Sequence, residues 1–142
     1  MELMKARQLI KGLLPPGSIE RVWLDLALGR VLAEDRYAHR DVPAESRSLV
    51  DGFAVISSDT GSATPESPCI LTTRIEVSTA GKISHHTLSP GECMRILTGG
   101  PLPGSADAVI PQEKVLEDGE KIIVSEPFPK KKGIKSAGSD IY

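Results

Sequence analysis

Residues 108–124 read Ala-Val-Ile-Pro-Gln-Glu-Lys-Val-Leu-Glu-Asp-Gly-Glu-Lys-Ile-Ile-Val and carry the clearest fold signal in the chain. Ala108-Val109-Ile110 is a short apolar run with the length and composition of a buried strand. Val115-Leu116 and Ile122-Ile123-Val124 flank a polar turn, Glu117-Asp118-Gly119-Glu120, and this pattern predicts a β-hairpin. The stretch therefore favours a fold built from short strands and tight turns.

The same succession of strands and turns covers the middle of the chain. Cys69–Ser78 alternates and is rich in β-branched residues, which predicts a strand. Shorter strands are predicted at Gly52–Ile56 and Cys93–Leu97, with an extended segment at Ile83–Leu88. Thirteen glycines and eleven prolines agree with many turns and argue against a helical bundle.

The N-terminal part of the chain begins with helical spacing and then changes to alternation. Apolar residues recur at helical spacing from Leu3 to Leu14, and Pro15-Pro16-Gly17 ends the pattern. Residues 21–27 alternate, and a helical turn that starts at Asp25 is closed by Gly29. The fold class expected from the whole pattern is mostly β with α (α+β), with a β-rich lobe flanked by helix-containing ends.

The composition excludes several classes of partner. The net charge is −2, and the 17 basic and 19 acidic residues are well mixed. The chain therefore has no strong positive electrostatic potential that would attract nucleic acid or an anionic membrane. Lys130-Lys131-Lys132, the one basic cluster, is interpreted as a solvated loop. No apolar run approaches the roughly 18 residues of a membrane span, and no N-terminal segment has the pattern of a cleavable signal. We expect a cytoplasmic protein with reduced thiols at Cys69 and Cys93.

The first segment that can carry chemistry is Ser46–Val55, in which Asp51 and Gly52 stand at the entry to an apolar strand. The simplest interpretation is a turn that starts the strand, and the local pattern alone favours it. The functional interpretation places a carboxylate at a strand edge, where it can bind a metal ion or orient an oxyanion-bearing ligand.

The second segment is Met94–Pro103, in which Thr98 is expected to end a strand. The following Gly99 and Gly100 can expose backbone N–H groups to an anion. The segment has no lysine and no following helix, so it is not a P-loop. The plain alternative is a rigid connection whose path is fixed by prolines.

Histidine and cysteine give no catalytic or metal-binding signal. His85 and His86 are adjacent, and neighbouring residues on a strand point to opposite faces, so the pair cannot chelate one ion from regular β-structure. His39 is isolated. Cys69 and Cys93 are interpreted as small apolar core residues because neither has a base or a cation nearby in sequence.

Taken together, and in this order, four stretches resemble the N-terminal region of the molybdopterin molybdenumtransferase family (bacterial MoeA and the gephyrin E domain). Leu26–Asp35 is similar to the family's "A-L-G-R-V-L-A-E-D" segment. Asp41-Val42-Pro43 with Ser48–Val55 is similar to "D-x-P…S-x-x-D-G-Y-A-V". The other two are Gly91–Pro103 with Ala106–Ile110 and Glu113, similar to "G-x-x-x-R-I-x-T-G-A-P-x-P-x-G-A-D-A-V-V…E", and Gly133–Ile141, similar to "G-x-N-I-R-x-x-G-E-D-I".

The resemblance implies a β-rich lobe, residues 46–128, inserted into a dimerisation segment formed by residues 1–45 and 129–142. It implies a homodimer, and further domains beyond Tyr142, one of which binds the pterin. In this family molybdate and adenylated molybdopterin, both small-molecule substrates, meet in a cleft with a divalent cation, usually Mg²⁺. The chain alone is accordingly expected to be inactive.

The resemblance also implies roles for single residues. Asp51 matches the signature's functional aspartate and is assigned to a metal ion or a water molecule, because the substrates are anions. Thr98 matches the threonine of "T-G-A-P" and is the second catalytic candidate. Ser48, Gly99 and Gly100 are the candidates for binding the cofactor substrate, since a hydroxyl and backbone amides donate to oxyanions.

The chain departs from the family pattern at several positions. Ala44–Arg47 replaces a common Pro/Gly-Phe-Asp-Asn/Arg run, and Phe53 replaces a tyrosine. Gly133, Lys135 and Ser139 stand where the last motif has Asn, Arg and Glu. These departures keep a second hypothesis open, in which the chain is a non-catalytic dimerisation or scaffold module of the same fold. Arg95 either supports the Asp51 and Thr98 site or is an ordinary surface residue of a strand.

Overall fold

The computed structural model describes residues 2–15, 17–81 and 86–142. Contacts between Cα atoms divide the chain into two compact units, Met1–Tyr37 and Ala38–Tyr142. The division into residues 1–45, 46–128 and 129–142 stays a prediction. No helix in the described part of the chain is long and apolar enough to cross a membrane.

Among residues 2–15 and 17–37, the first unit contains an α-helix, α1 (Leu3–Leu13), and a 3-10 turn, Leu24–Leu26. The predicted amphipathic helix is thus confirmed. Residues 21–27 alternate in sequence but include the 3-10 turn, because the Leu26 N–H and the Ala27 N–H donate locally, to the carbonyls of Trp23 and Leu24. Gly29, with φ of 80°, follows this turn as predicted.

Eight strands lie in the part of the second unit that the structure describes. They are β1 (Arg47–Ser48), β2 (Gly52–Val55), β3 (Cys69–Ser78), β4 (Glu92–Ile96), β5 (Ala108–Pro111), β6 (Leu116–Asp118), β7 (Lys121–Val124) and β8 (Ile134–Lys135). Short 3-10 helices follow two of them, at Ser57–Thr60 after β2 and at Gln112–Lys114 after β5. The predicted strands at Gly52, Cys69, Cys93 and Ala108, and the predicted hairpin, are confirmed.

Six of these strands form one sheet in the order β5-β2-β4-β3-β7-β6. All its pairs are antiparallel except β3 with β4, whose parallel register shifts between Arg74 and Val77. The central pairs β5-β2-β4 bring Gly52 opposite Pro111 on one side and opposite Ile96 on the other. This mixed, mostly β architecture with one helix confirms the expected α+β class.

The core of the second unit is aliphatic, as the low aromatic content requires. One cluster lies on one face of the sheet and includes Phe53, Leu71, Ile110 and Ile122. A smaller cluster of Ala54, Ile96 and Val109 gathers on alternate residues of the same strands. Successive residues of a strand point to opposite faces, so β2, β4 and β5 are covered on both sides.

Residues 133–142 contain a short strand and an isolated β-bridge. Ile134–Lys135 forms β8 and pairs with β1 in a two-stranded antiparallel sheet. Ile141 forms an isolated bridge with Val42, with the Val42 N–H donating to the Ile141 carbonyl at 2.8 Å. The segment predicted at Ile83–Leu88 falls in part on residues 82–85, which lie outside the described residues.

Candidate functional site

Asp51 is placed by the strand that begins immediately after it. Gly52, the first residue of β2, runs so close to β5 that a Cβ atom there would lie 1.9 Å from the Ile110 carbonyl oxygen. The Asp51 carbonyl accepts a hydrogen bond from the Gln112 N–H at 3.1 Å. The glycine in the Asp-Gly pair is therefore required by strand packing, and the main chain of Asp51 is fixed at the end of the central strand.

Thr98 reaches the same end of the sheet from the neighbouring strand. Because Gly52 pairs with Ile96, the residue before β2 and the residues after β4 meet. Asp51 Oδ1 accepts hydrogen bonds from the Thr98 N–H at 2.7 Å and from the Thr98 Oγ1–H at 2.8 Å. The structure thus brings together the two residues predicted to be catalytic.

The electrostatic state of Asp51 follows from these contacts. The Thr98 backbone N–H and then its hydroxyl stabilise the carboxylate and hold the pKa of Asp51 below its ordinary value of 3.8, and the positive charge of Arg95 acts in the same direction. The side chain is exposed. Both bonds end on Oδ1, and among the described residues none donates to Oδ2, so one oxygen of an ionised carboxylate faces outward.

The loop after β4 is a tight turn rather than the end of the strand. β4 ends at Ile96, two residues before Thr98, and the Gly100 N–H closes the turn by donating to the Leu97 carbonyl at 2.8 Å. Gly99 has φ of 79°, which glycine adopts without strain. A Cβ atom on Gly100 would lie 2.8 Å from the Ser78 carbonyl oxygen. Both glycines are therefore explained by the path of the loop.

The glycine amides do not face outward as expected. The Gly99 N–H donates to the Ser48 carbonyl at 2.9 Å, and the Ser48 N–H donates to the Gly100 carbonyl at 2.9 Å. The Ser48 hydroxyl is buried and donates to the Val50 carbonyl at 2.6 Å. The expectation that these groups are free to donate to an oxyanion is corrected: in this conformation they tie the loop to the segment before Asp51.

Arg95 is a member of a network rather than an isolated surface residue. Its guanidinium lies 5.4 Å from the centre of the Phe53 ring and donates to Gln112 Oε1 at 2.9 Å and to Glu117 Oε1 at 3.0 Å. Gln112 in turn holds the Asp51 carbonyl. Gln112 was not predicted from the sequence, because its only sequence signal is its position directly after the buried run that forms β5.

Histidine and cysteine take no part in the site. His86 Nε2 lies 2.9 Å from Glu76 Oε2, and His85 lies outside the described residues. Burial raises the pKa of the Cys93 thiol to about 11, and burial followed by the charge of Asp59 raises that of Cys69. Within residues 2–15, 17–81 and 86–142, no group of three His, Cys, Asp or Glu side chains could hold a metal ion.

These features define a class: an α+β protein whose β-rich lobe carries an aspartate–threonine pair and a glycine turn at one edge of its sheet. Comparison with known proteins then gives the family. The family model described as "MoeA N-terminal region (domain I and II)" matches residues 1–142. The chain belongs to this family.

Curated relatives share this region. A molybdopterin molybdenumtransferase of Staphylococcus epidermidis is 34% identical over 123 residues, which cover 83% of this chain and 28% of the relative. One from Bacillus subtilis is 44% identical over 97 residues, 66% of this chain and 22% of the relative. The chain therefore spans less than a third of the length of the relatives it matches.

A solved structure agrees with the fold. The crystal structure of the molybdopterin biosynthesis MoeA protein from Pyrococcus horikoshii superposes with a TM-score of 0.79 at 38% identity. The match covers 99% of this chain and 36% of that protein. At this identity the likeness supports common descent as well as a common fold.

Proposed function

We propose that this chain works as the N-terminal part of a molybdopterin molybdenumtransferase and contributes to inserting molybdate into adenylated molybdopterin during molybdenum cofactor biosynthesis. Membership of the family and the names of the relatives support the reaction. The observation that carries the proposal is the Asp51–Thr98 pair, in which one carboxylate oxygen is held by two donors and the other faces outward.

The proposed role of Asp51 is to provide one ligand to Mg²⁺. Magnesium in sites that handle phosphates keeps several waters and takes only one or two protein carboxylates, with the rest of its ligands from the substrate. An ionised carboxylate with an open oxygen fits that requirement without a three-residue cluster in the described part of the chain. When bound, the ion would neutralise charge on the phosphate and molybdate oxygens.

The other predicted site residues have supporting roles in this proposal. Thr98 fixes the orientation of the carboxylate through both of its donors. Ser48, Gly99 and Gly100 act on the cofactor substrate by shaping the loop, since their own polar groups bond within the chain. A rigid loop keeps the carboxylate oriented before the substrate arrives, which lowers the cost of reaching a productive geometry.

The proposal also covers the complete enzyme. We propose that it is a homodimer, that it has a pterin-binding domain outside this chain, and that it is located in the cytoplasm. The exposed apolar residues of the first unit, among them Leu9, Leu13 and Trp23, support an interface between subunits.

The test is Asp51→Asn in a complete transferase that carries this chain as its N-terminal region. Asparagine is nearly isosteric but uncharged, so it keeps the turn and loses the metal ligand. Losing a positioned catalytic group lowers turnover roughly 100- to 1000-fold, and we expect that loss with little change in melting temperature. Molybdenum insertion and thermal melts are measured together.

Asp118→Asn is the matched control, because Asp118 is also exposed and lies in the β6–β7 hairpin. It removes the same charge away from the site and should leave turnover within about twofold. Normal turnover in Asp51→Asn would remove Asp51 from the site. Equal losses in both variants would point to a general effect of charge.

A non-catalytic dimerisation or scaffold module is the second candidate. The observation that favours it is the internal bonding of the loop, which gives Asp51, Ser48 and both glycines structural partners. For such a module, Asp51→Asn would leave partner binding and dimerisation unchanged, and the complete protein would insert no molybdenum even with Asp51 present. The wild-type insertion assay thus separates the two candidates.

A further inference from the structure

Arg95 lies in β4, opposite β2 and close to the end of the sheet that carries Asp51. It is the register partner of Phe53, and its guanidinium lies 5.4 Å from the centre of the Phe53 ring. The ring is buried, while 33% of the Arg95 side chain stays accessible. A guanidinium placed over a ring still has its N–H groups free to donate along its edge. Arg95 can therefore bind elements other than β2.

The two terminal nitrogens of Arg95 bind two different side chains. Nη2 donates to Gln112 Oε1 at 2.9 Å, and Nη1 donates to Glu117 Oε1 at 3.0 Å. Gln112 begins the 3-10 helix that follows β5, and Glu117 lies in β6. Because β5 and β6 stand at opposite ends of the strand order, one side chain of a central strand links both ends. Lysine could not make this link, since it offers a single point charge rather than a planar fork.

Gln112 connects the Arg95 fork to Asp51. Its side chain accepts the hydrogen bond from Arg95, and its N–H donates to the Asp51 carbonyl at 3.1 Å. The second of these bonds continues the β2–β5 pairing beyond its last register partners. A further contact of the Gln112 side chain, from Nε2 to Glu113 Oε1, is longer, at 3.4 Å. Arg95 is therefore the stronger of these two contacts that hold the Gln112 side chain in place.

The charge of Arg95 acts on the same aspartate. The Thr98 N–H and hydroxyl lower the pKa of Asp51 most, and the positive charge of Arg95 lowers it further. Arg95 thus affects the Asp51 side chain by its charge and the Asp51 main chain by its hydrogen bond to Gln112. Lysine at this position would keep the charge and lose the fork, so the two effects can be separated by experiment.

We propose that Arg95 is a positioning residue for the Asp51 carboxylate and that it acts through Gln112. Its fork fixes the start of the 3-10 helix after β5, and this keeps the main chain of Asp51 in one place while Thr98 orients the carboxylate. The inference rests on the proposed function, because the orientation of Asp51 affects turnover only where Asp51 is a catalytic group. A small misplacement of such a group can lower the rate by up to about 100-fold.

The first experiment measures amide hydrogen exchange in the 142-residue chain and depends on no activity. Arg95→Lys should speed exchange of the Gln112 N–H about tenfold, because its bond to the Asp51 carbonyl opens more often once the side chain is released. Amides of β7 should keep their rates. The matched control is Arg74→Lys, since Arg74 is also an arginine of the sheet and pairs with Glu92 at 3.3 Å. It should leave exchange at Gln112 unchanged.

The second experiment measures molybdenum insertion by a complete transferase that carries this chain as its N-terminal region. Arg95→Lys should lower kcat about tenfold with little change in KM, because the charge is kept and the geometry is lost. Gln112→Ala keeps the backbone N–H but removes the acceptor of the fork, so it should have a similar effect. The double variant should be no slower than either single variant, since both changes break the same link.

The two experiments distinguish failure of this inference from failure of the proposed function. Unchanged exchange at Gln112 in Arg95→Lys overturns the positioning role, whatever the activity of the enzyme. Faster exchange with a normal kcat overturns it too, since the link would then be structural only, and so do additive losses in the double variant. A wild-type transferase that inserts no molybdenum refutes the proposed function instead, and the exchange rates then still report whether Arg95 holds Gln112.

Discussion

Both hydrogen bonds that hold Asp51 end on the same carboxylate oxygen, and both come from Thr98. A carboxylate fixed in this way has one defined orientation, because the N–H and the O–H approach from a single turn. The oxygen that remains can then act on a ligand without a further loss of side-chain freedom. At the scale of the residue, the site is a pair of hydrogen bonds that joins the segment before β2 to the loop after β4.

These hydrogen bonds predict that the acid titration of the Asp51 carboxyl group depends on the Thr98 hydroxyl. Because the pKa of Asp51 is lowered in the folded chain, the carboxylate contributes stability above its unfolded pKa and loses it as pH falls through the folded pKa. Thr98→Val removes the hydroxyl donor, so the titration midpoint should rise towards 3.8, while Thr98→Ser should keep the lowered value. The midpoint is measured from the ¹³C shift of the carboxyl carbon. A midpoint that is the same in all three proteins would contradict the role of the hydroxyl.

Asp51 and Thr98 could be identified from the sequence, but the hydrogen-bond partners of the neighbouring glycine amides could not. The order of motifs singled out both residues, and strand pairing brings them together. The amides of Gly99 and Gly100 were expected to be available to an anion, because glycine can expose its backbone N–H groups. The Gly100 N–H instead closes the turn on the Leu97 carbonyl, and the Gly99 N–H donates outside its own segment. Their partners include Ser48, which is about fifty positions away, and such contacts exist only once the sheet has formed. The catalytic and ligand-binding roles themselves stay predictions.

At the scale of the element, the approach of β2 to β5 is the tightest constraint in the sheet. At Gly52 a Cβ atom would meet the Ile110 carbonyl oxygen at 1.9 Å and the Pro111 Cα at 3.0 Å. Both neighbours are main chain, and main chain in a ladder cannot rotate away as a side chain can. The strands would have to separate, in a region where both faces of the sheet are packed.

Gly52→Ala should therefore lower the free energy of unfolding by about 3 kcal/mol, the upper part of the usual range for overpacking. Gly61→Ala is the matched control: its φ is −58°, and its Cβ atom would lie 3.3 Å from the Ser58 carbonyl. The control should change stability by less than about 1 kcal/mol. Urea unfolding followed by far-ultraviolet circular dichroism measures both, and equal effects would show that the close approach relaxes.

Secondary structure was predicted correctly where the regular pattern of apolar residues extends over many positions or where an apolar run marks a buried strand. β3 is found over the predicted residues, and the hairpin of β6 and β7 lies at its predicted turn. The pairing of β1 with β8 could not be predicted, because each has two residues and their partners are about ninety positions apart. The 3-10 helices that follow β2 and β5 were missed for a related reason, since three or four residues carry no periodicity.

At the scale of the whole molecule, the two units differ in how far their large apolar side chains are buried. The second unit buries large aliphatic side chains, among them Leu71, Ile110 and Ile122, in two clusters, while Ile75 and Leu116 are exposed. The first unit exposes its own: 82% of the surface of Trp23 and 82% of that of Leu13 are accessible. No residue of α1 is buried, and an amphipathic helix usually packs its apolar stripe against a partner surface.

We expect the chain to form a two-fold dimer through this surface. Leu9→Glu, in the apolar stripe of α1, should raise the dissociation constant of the dimer about tenfold or more, as loss of an apolar interface contact does. Lys5→Glu, on the charged side of the same helix, is the control and should have little effect. Sedimentation velocity over a range of concentrations distinguishes them, and a chain that remains monomeric at high concentration would refute the dimer.

The bridge between Val42 and Ile141 gives the second unit a further property, because it joins residues near the two ends of that unit. Its incoming and outgoing segments run side by side, joined by hydrogen bonds of 2.8 and 3.2 Å between these two residues. A module with adjacent entry and exit points needs only a small gap in a host, about the 4.7–4.9 Å between neighbouring strands. Such a module can be gained, exchanged or lost in one event without redirecting the host backbone. The second unit is therefore suited to transplantation into an unrelated scaffold, carrying the loops of Asp51 and Thr98 with it.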